Sequence, residues 1–85
     1  MSYELSLDPE AIDFLSKLPK ELAQRIWNKL SQGKENPQHY FIRLAEREEY
    51  KLRVGDYRII VEIDTELKRI NVLLIGHRKN VYDQI

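Results

Sequence analysis

Between Tyr50 and Ile63 the chain reads YKLRVGDYRIIVEI. Two runs of β-branched and aromatic residues flank Gly55-Asp56, which predicts a tight hairpin with Gly supplying a positive φ at the first loop position. A two-residue loop leaves one register: Val54 faces Tyr57, Arg53 faces Arg58, Leu52 faces Ile59 and Lys51 faces Ile60. Side chains alternate along a strand, so Tyr50, Leu52, Val54, Tyr57, Ile59, Val61 and Ile63 share an apolar face. Lys51, Arg53 and Arg58 share the other. Like charges directly opposite one another weaken a sheet. Two arginines face to face, with a lysine alongside, therefore point to a bound anion. The bland alternative is a solvated sheet face balanced by Glu49 and Glu62, a common finish for antiparallel sheets.

The rest of the chain supplies a scaffold for this hairpin. Tyr3, Leu5 and Leu7 alternate with polar residues, as in a half-buried strand. Asp8-Pro9-Glu10 starts a helix, with Asp as N-cap and Pro at the first helical position. Its apolar positions are Ala11, Phe14, Leu15 and Leu18, and Pro19 ends it. A second helix is predicted from Lys20 to Gln32, with Leu22, Ala23, Ile26, Trp27 and Leu30 as its apolar stripe and Gly33 as C-cap. The short joint makes an antiparallel helical hairpin. Residues 34–40 read as a loop, Phe41 to Leu44 as the start of a strand, and Ala45 to Glu48 as a bend. Arg69 to Ile75 is the last strand, and the run Val72-Leu73-Leu74-Ile75 suggests a central position buried on both faces. The cationic sheet face also carries Ile60, with Leu73 or Ile75 beside it. The order is β-α-α-β-β-β: a mostly antiparallel sheet with the helical hairpin on its apolar face.

Composition excludes several classes of function. The 85 residues contain no cysteine and two histidines, so no disulfide framework, thiolate site or credible metal constellation can form. No stretch approaches the roughly 18 to 20 apolar residues of a membrane span, and the N-terminus lacks the pattern of a signal peptide. A single cytoplasmic domain over residues 1–85 is expected, without membrane contact. With 14 basic and 14 acidic residues the net charge is zero. Any polyanion contact must come from a local cluster of cations. Tyr50 and Tyr57 fall on the apolar face and read as core, as does Trp27; His39 reads as a solvated loop residue.

Three stretches, taken with this element order, resemble the toxins of the RelE/ParE superfamily of type II toxin–antitoxin pairs. They are Leu18-Pro19-Lys20 at the helical joint, Tyr50-Lys51-Leu52-Arg53 with Gly55-Asp56-Tyr57-Arg58-Ile59-Ile60, and Gly76-His77-Arg78-Lys79-Asn80-Val81-Tyr82. The resemblance implies an α/β fold of RelE/ParE type, no cofactor, and a RelB-like antitoxin as partner, possible as a heterotetramer. RelE-like members cut messenger RNA on the ribosome without metal; ParE-like members inhibit DNA gyrase. Fold alone does not separate the two; the leading expectation is the ribosome-dependent nuclease, with the gyrase inhibitor or a non-catalytic remnant that only binds its antitoxin as alternatives.

Metal-free cleavage by the ribose 2′-OH needs a proton acceptor, a stabiliser of charge on phosphorus, and a proton donor for the 5′-oxygen. The resemblance assigns Arg58 and Arg78 to the phosphoryl group, whose geometry a guanidinium fork fits. It assigns Lys51 to the neighbourhood of the 2′-OH, as proton acceptor or charge stabiliser, and Arg53 and Lys79 to RNA binding. Tyr82 would stack on a base or exchange a proton. His77 would act as general acid, since an imidazole can donate a proton near neutral pH. Glu49 stands where one RelE branch has a second lysine. Glu46, Glu48 and Glu49 compete with Lys51 for the role of base.

Overall fold

In a computed structural model, residues 3–77 are described. The elements in chain order are β1 (Glu4–Leu7), α1 (Pro9–Ser16), α2 (Lys20–Glu35), α3 (Pro37–Tyr40), β2 (Ile42–Arg43), β3 (Tyr50–Val54), β4 (Tyr57–Asp64) and β5 (Arg69–His77). The strands form one sheet in the order β1-β5-β4-β3-β2. Among the described residues, the β1–β5 pairing is parallel and the others are antiparallel. The fold is α/β with the helices packed on one face of the sheet.

The β3–β4 hairpin has the register that a two-residue loop demands, including Arg53 opposite Arg58 and Lys51 opposite Ile60. Gly55 takes φ +59°, a conformation an L side chain resists. Leu52, Val54, Ile59 and Val61 are buried, with Tyr50, Tyr57 and Ile63 packed against them. Ala11, Ile26 and Leu30 cover this face from the helices, and Ile70, Val72 and Ile75 extend it along β5.

One irregularity changes which residues of β5 face the helices. Ile63 pairs with Ile70 and Val61 with Val72, but Ile60 pairs with Leu74. Leu73 is the extra residue of a β-bulge, which reverses the alternation beyond it. Ile75 therefore enters the core at 2% exposure instead of joining the cationic face. Gly76 takes the position across from Arg58, and His77 pairs with Tyr57. The middle strand of the five is β4, and it is β4 whose residues Arg58 to Val61 are buried in succession. β5 is interior, between β1 and β4.

The helices depart from expectation at four points. Asp8 precedes α1, yet its side chain makes no cap hydrogen bond; its Oδ1 accepts from Asn71 Nδ2 at 2.9 Å. Asn71 Oδ1 accepts in turn from the Ser6 hydroxyl at 2.8 Å. The carboxylate thus links the start of α1 to β5. α2 runs through Gly33 to Glu35. Gly33 is buried inside the helix because a Cβ there would stand 2.6 and 2.9 Å from Cε2 and Cζ of Phe41. Residues 37–40, expected as loop, form the single turn α3. Trp27 is 44% exposed. Ile26, Leu30 and Gly33 hold the inward positions, and Trp27 is turned about 100° from Ile26 around the axis.

No described helix is long and apolar enough to cross a membrane. Among the described residues, no group of three or more His, Cys, Asp or Glu could hold a metal ion.

Candidate functional site

The hairpin carries an open groove of about 420 Å³, bounded by the sheet on one side and by α2 and α3 on the other. Lys51 and Arg53 come from β3 and Arg58 from β4, so strand alternation alone puts all three on one face of the sheet. Ile42 pairs with Lys51 across the sheet edge and is 62% exposed. It gives the groove the apolar contact that the sequence suggested for Ile60, which is instead buried at 2%. Lys29, His39 and Tyr40 complete the wall from α2 and α3. The His39 and Tyr40 rings meet edge to face at 4.8 Å, and Lys29 Nζ stands 5.4 Å over the Tyr40 ring.

Among the described residues, no carboxylate lines this groove. Arg53 is exposed, and its Nε donates to the Gly55 carbonyl at 3.2 Å, which holds the guanidinium beside the turn. Arg58 is only 6% exposed on the middle strand. Burying a guanidinium to that degree is costly, and natural chains keep such a group where structure or chemistry uses it. Its neighbour on β5 is Gly76, which adds no side chain to the face.

The three carboxylates weighed as bases lie elsewhere. Glu49 Oε1 accepts from Arg47 Nε at 2.7 Å in an ion pair. Glu46, at φ +61°, and Glu48 line a separate groove with Arg43 and Arg47 on the β2–β3 connection. None of the three lines the groove of Lys51 and Arg58.

His77 lies on the helix side of the sheet. Its ring meets that of Tyr57 at 5.7 Å and 76°, and Tyr57 meets Phe14 at 6.1 Å. The bulge at Leu73 is the cause: unbroken alternation from Val72 would have turned His77 outward. The structure thus brings Lys51, Arg53 and Arg58 together and separates His77 from them. Arg78, Lys79 and Tyr82 lie outside the described residues.

Sequence reasoning missed Lys29, His39, Tyr40 and Ile42 as groove residues. The short run from Phe41 to Leu44 hinted at Ile42 through its place beside the hairpin. No local signal marked the others, which reach the groove because α2 packs against both α3 and β3.

A family profile for the ParE toxin of type II toxin–antitoxin systems matches residues 5–82. Among solved structures, a chain of the RelBE2 toxin–antitoxin complex of Mycobacterium tuberculosis superposes with a TM-score of 0.80 at 22% identity. The match covers 92% of this chain and 100% of that one. The archaeal RelE–RelB complex of Pyrococcus horikoshii gives 0.78 at 25% identity, covering 92% and 97%. Free Escherichia coli RelE, in a mutant with two arginines changed to alanine, gives 0.79 at 22% identity, covering 98% and 93%. No curated protein matches the sequence.

Proposed function

The chain belongs to the ParE toxin family of type II toxin–antitoxin systems, within the RelE/ParE superfamily, and from that premise we propose that it is a RelE-like, ribosome-dependent messenger RNA endonuclease. One observation carries this reading: Lys51, Arg53 and Arg58 line a single groove. In that groove Arg58 binds the scissile phosphate through its planar fork. Lys51, on the neighbouring strand, takes the 2′-OH proton when its amine is neutral. The 2′-oxygen bonds to phosphorus, the bond to the 5′-oxygen breaks, and a 2′,3′-cyclic phosphate is left. The 2′ proton passes to a base and another proton reaches the 5′-oxygen. With His77 on the far face, the resemblance leaves the Tyr82 hydroxyl to deliver the second proton. With Glu46, Glu48 and Glu49 elsewhere, Lys51 is the favoured acceptor of the first. The partner is a RelB-like antitoxin, as in the solved relatives, and no cofactor takes part. The expected site of action is cytoplasmic.

A second reading has its own support. The matching family profile describes ParE toxins, and gyrase inhibition would need no proton-transfer groups. Brief induction in cells separates the two. The nuclease reading predicts new RNA ends on ribosome-bound transcripts, with DNA left intact. Intact transcripts together with gyrase-cleaved DNA would replace it with the ParE-like reading.

A further inference from the structure

A second open groove, of about 300 Å³, adjoins the first at the Gly55 turn. Lys29 and Arg53 line both. Arg25, Asn28 and Gln32 of α2 form the remaining wall with Val54 and Gly55. Arg25 Nη2 stands 3.5 Å from the position a Cβ would take on Gly55, and Arg53 Nε is bonded to the Gly55 carbonyl. Two guanidinium groups therefore meet at one turn. Among the described residues, neither groove is lined by a carboxylate. Among the described residues, Lys17, Arg47 and Arg69 pair with carboxylates, whereas Arg25, Lys29, Lys51 and Arg53 do not. Arg25 and Lys29 also stand four apart on α2, a like-charge spacing that costs helix stability.

We propose that Arg25 and Lys29, with Arg53, form a second phosphate-binding stretch that carries the groove from the sheet onto α2. A single RNA strand then lies across both grooves, with its scissile phosphate at Arg58 and a flanking phosphate between Arg25 and Arg53. Asn28 and Gln32 are neutral amides on the same helix, able to bond to sugar or base edges. The lining of the second groove is polar and cationic apart from Val54 at the turn, which suits a sugar–phosphate chain better than an apolar protein helix. This rests on the nuclease reading above.

The test is binding by antitoxin-free toxin to uncleavable 2′-O-methyl RNA, followed by fluorescence anisotropy across a salt series. A dinucleotide fits the first groove alone; a decanucleotide spans both. The variant Arg25→Gln should bind the dinucleotide like wild type, because Arg25 lines only the second groove. On the decanucleotide its salt slope should fall by about 0.7, the loss of one phosphate contact on a single strand. Lys51→Gln should weaken both oligonucleotides. Matching thermal melts confirm that the surface variants fold. If Arg25→Gln equals wild type on the decanucleotide while Lys51→Gln weakens it, the α2 stretch is refuted and the nuclease site stands. If Arg25→Gln loses antitoxin affinity and keeps RNA affinity, the stretch is a protein interface and the proposal fails. If wild type binds neither oligonucleotide, the proposal and the nuclease reading fall together.

Discussion

The two ends of β4 carry opposite charge and use it differently. At the start, beside the Gly55 turn, Arg58 faces Arg53, and Arg25 and Lys29 approach from α2. At the other end, Glu62, Asp64 and Glu66 surround an open groove of about 530 Å³ with Arg69 and Asn71. The acidic end serves the fold. Asp64 Oδ1 accepts from the backbone N–H groups of Glu66 and Leu67 at 3.0 and 2.9 Å, closing the β4–β5 turn. Asn71 ties Asp8 and Ser6 to β5, and Arg69 Nη2 sits 3.9 Å from Glu4. At the cationic end Arg25, Lys29, Lys51 and Arg53 close no turn with an acid and balance no carboxylate among the described residues. A net charge of zero thus conceals a sorted surface, and it carries little weight against a polyanionic ligand.

Removing one charge from each end of β4 gives the largest expected contrast. Arg58 and Glu62 lie on the same face, four residues apart. Arg58→Gln should lower the rate of RNA cleavage on ribosomes by about 10²–10³, the usual loss for one preorganised charge stabiliser. Glu62→Gln should leave the rate within about twofold, since surface changes away from a site have small effects. Equal losses from both variants, scored by mapped RNA ends per unit time, would dissolve the distinction between the two ends.

The contrast also depends on how the cationic end is supported. Gly33 seats Phe41, which leads into β2 and so places Ile42 beside Lys51. Gly33→Ala gains helix propensity of about 1 kcal/mol, but overpacking against the Phe41 ring costs about 1–3 kcal/mol. The net expectation is a lower unfolding midpoint in urea; a higher midpoint would show that Phe41 yields without cost. The turns give effects of comparable size. Gly55→Ala should cost about 1–2 kcal/mol, because an alanine at φ +59° is strained. Asp64→Ala should cost about 1 kcal/mol for its exposed turn hydrogen bonds. Gly55→Ala should also weaken RNA binding, because Arg25 and Arg53 gather at that turn. Asp64→Ala should leave binding unchanged.

The hairpin shows how far local rules reach. Its register, the positive φ at Gly55 and the shared face of Lys51, Arg53 and Arg58 follow from a two-residue loop and the period of a strand, both readable from adjacent residues. The same holds for Pro19 between the helices and for Tyr50 and Tyr57 against the core. The stripe of α2 was legible only in part. Ile26 and Leu30 are equally apolar neighbours of Trp27, and composition does not say which side of a helix a sheet will cover.

Long-range pairing decided the remainder. Val72-Leu73-Leu74-Ile75 is apolar at every position, so it fits either alternation and holds no mark of the bulge. Pairing with β4 leaves Leu73 over, turns Ile75 into the core, sets Gly76 against Arg58 and carries His77 to the side of Tyr57. Gly33 is a second case: along the chain it looks like a helix stop, and its actual role is set by a Phe41 ring arriving from beyond α3. Turn chemistry and strand period are properties of neighbouring residues and survive in the sequence. Contacts between segments far apart in the chain depend on which surfaces meet when the core closes.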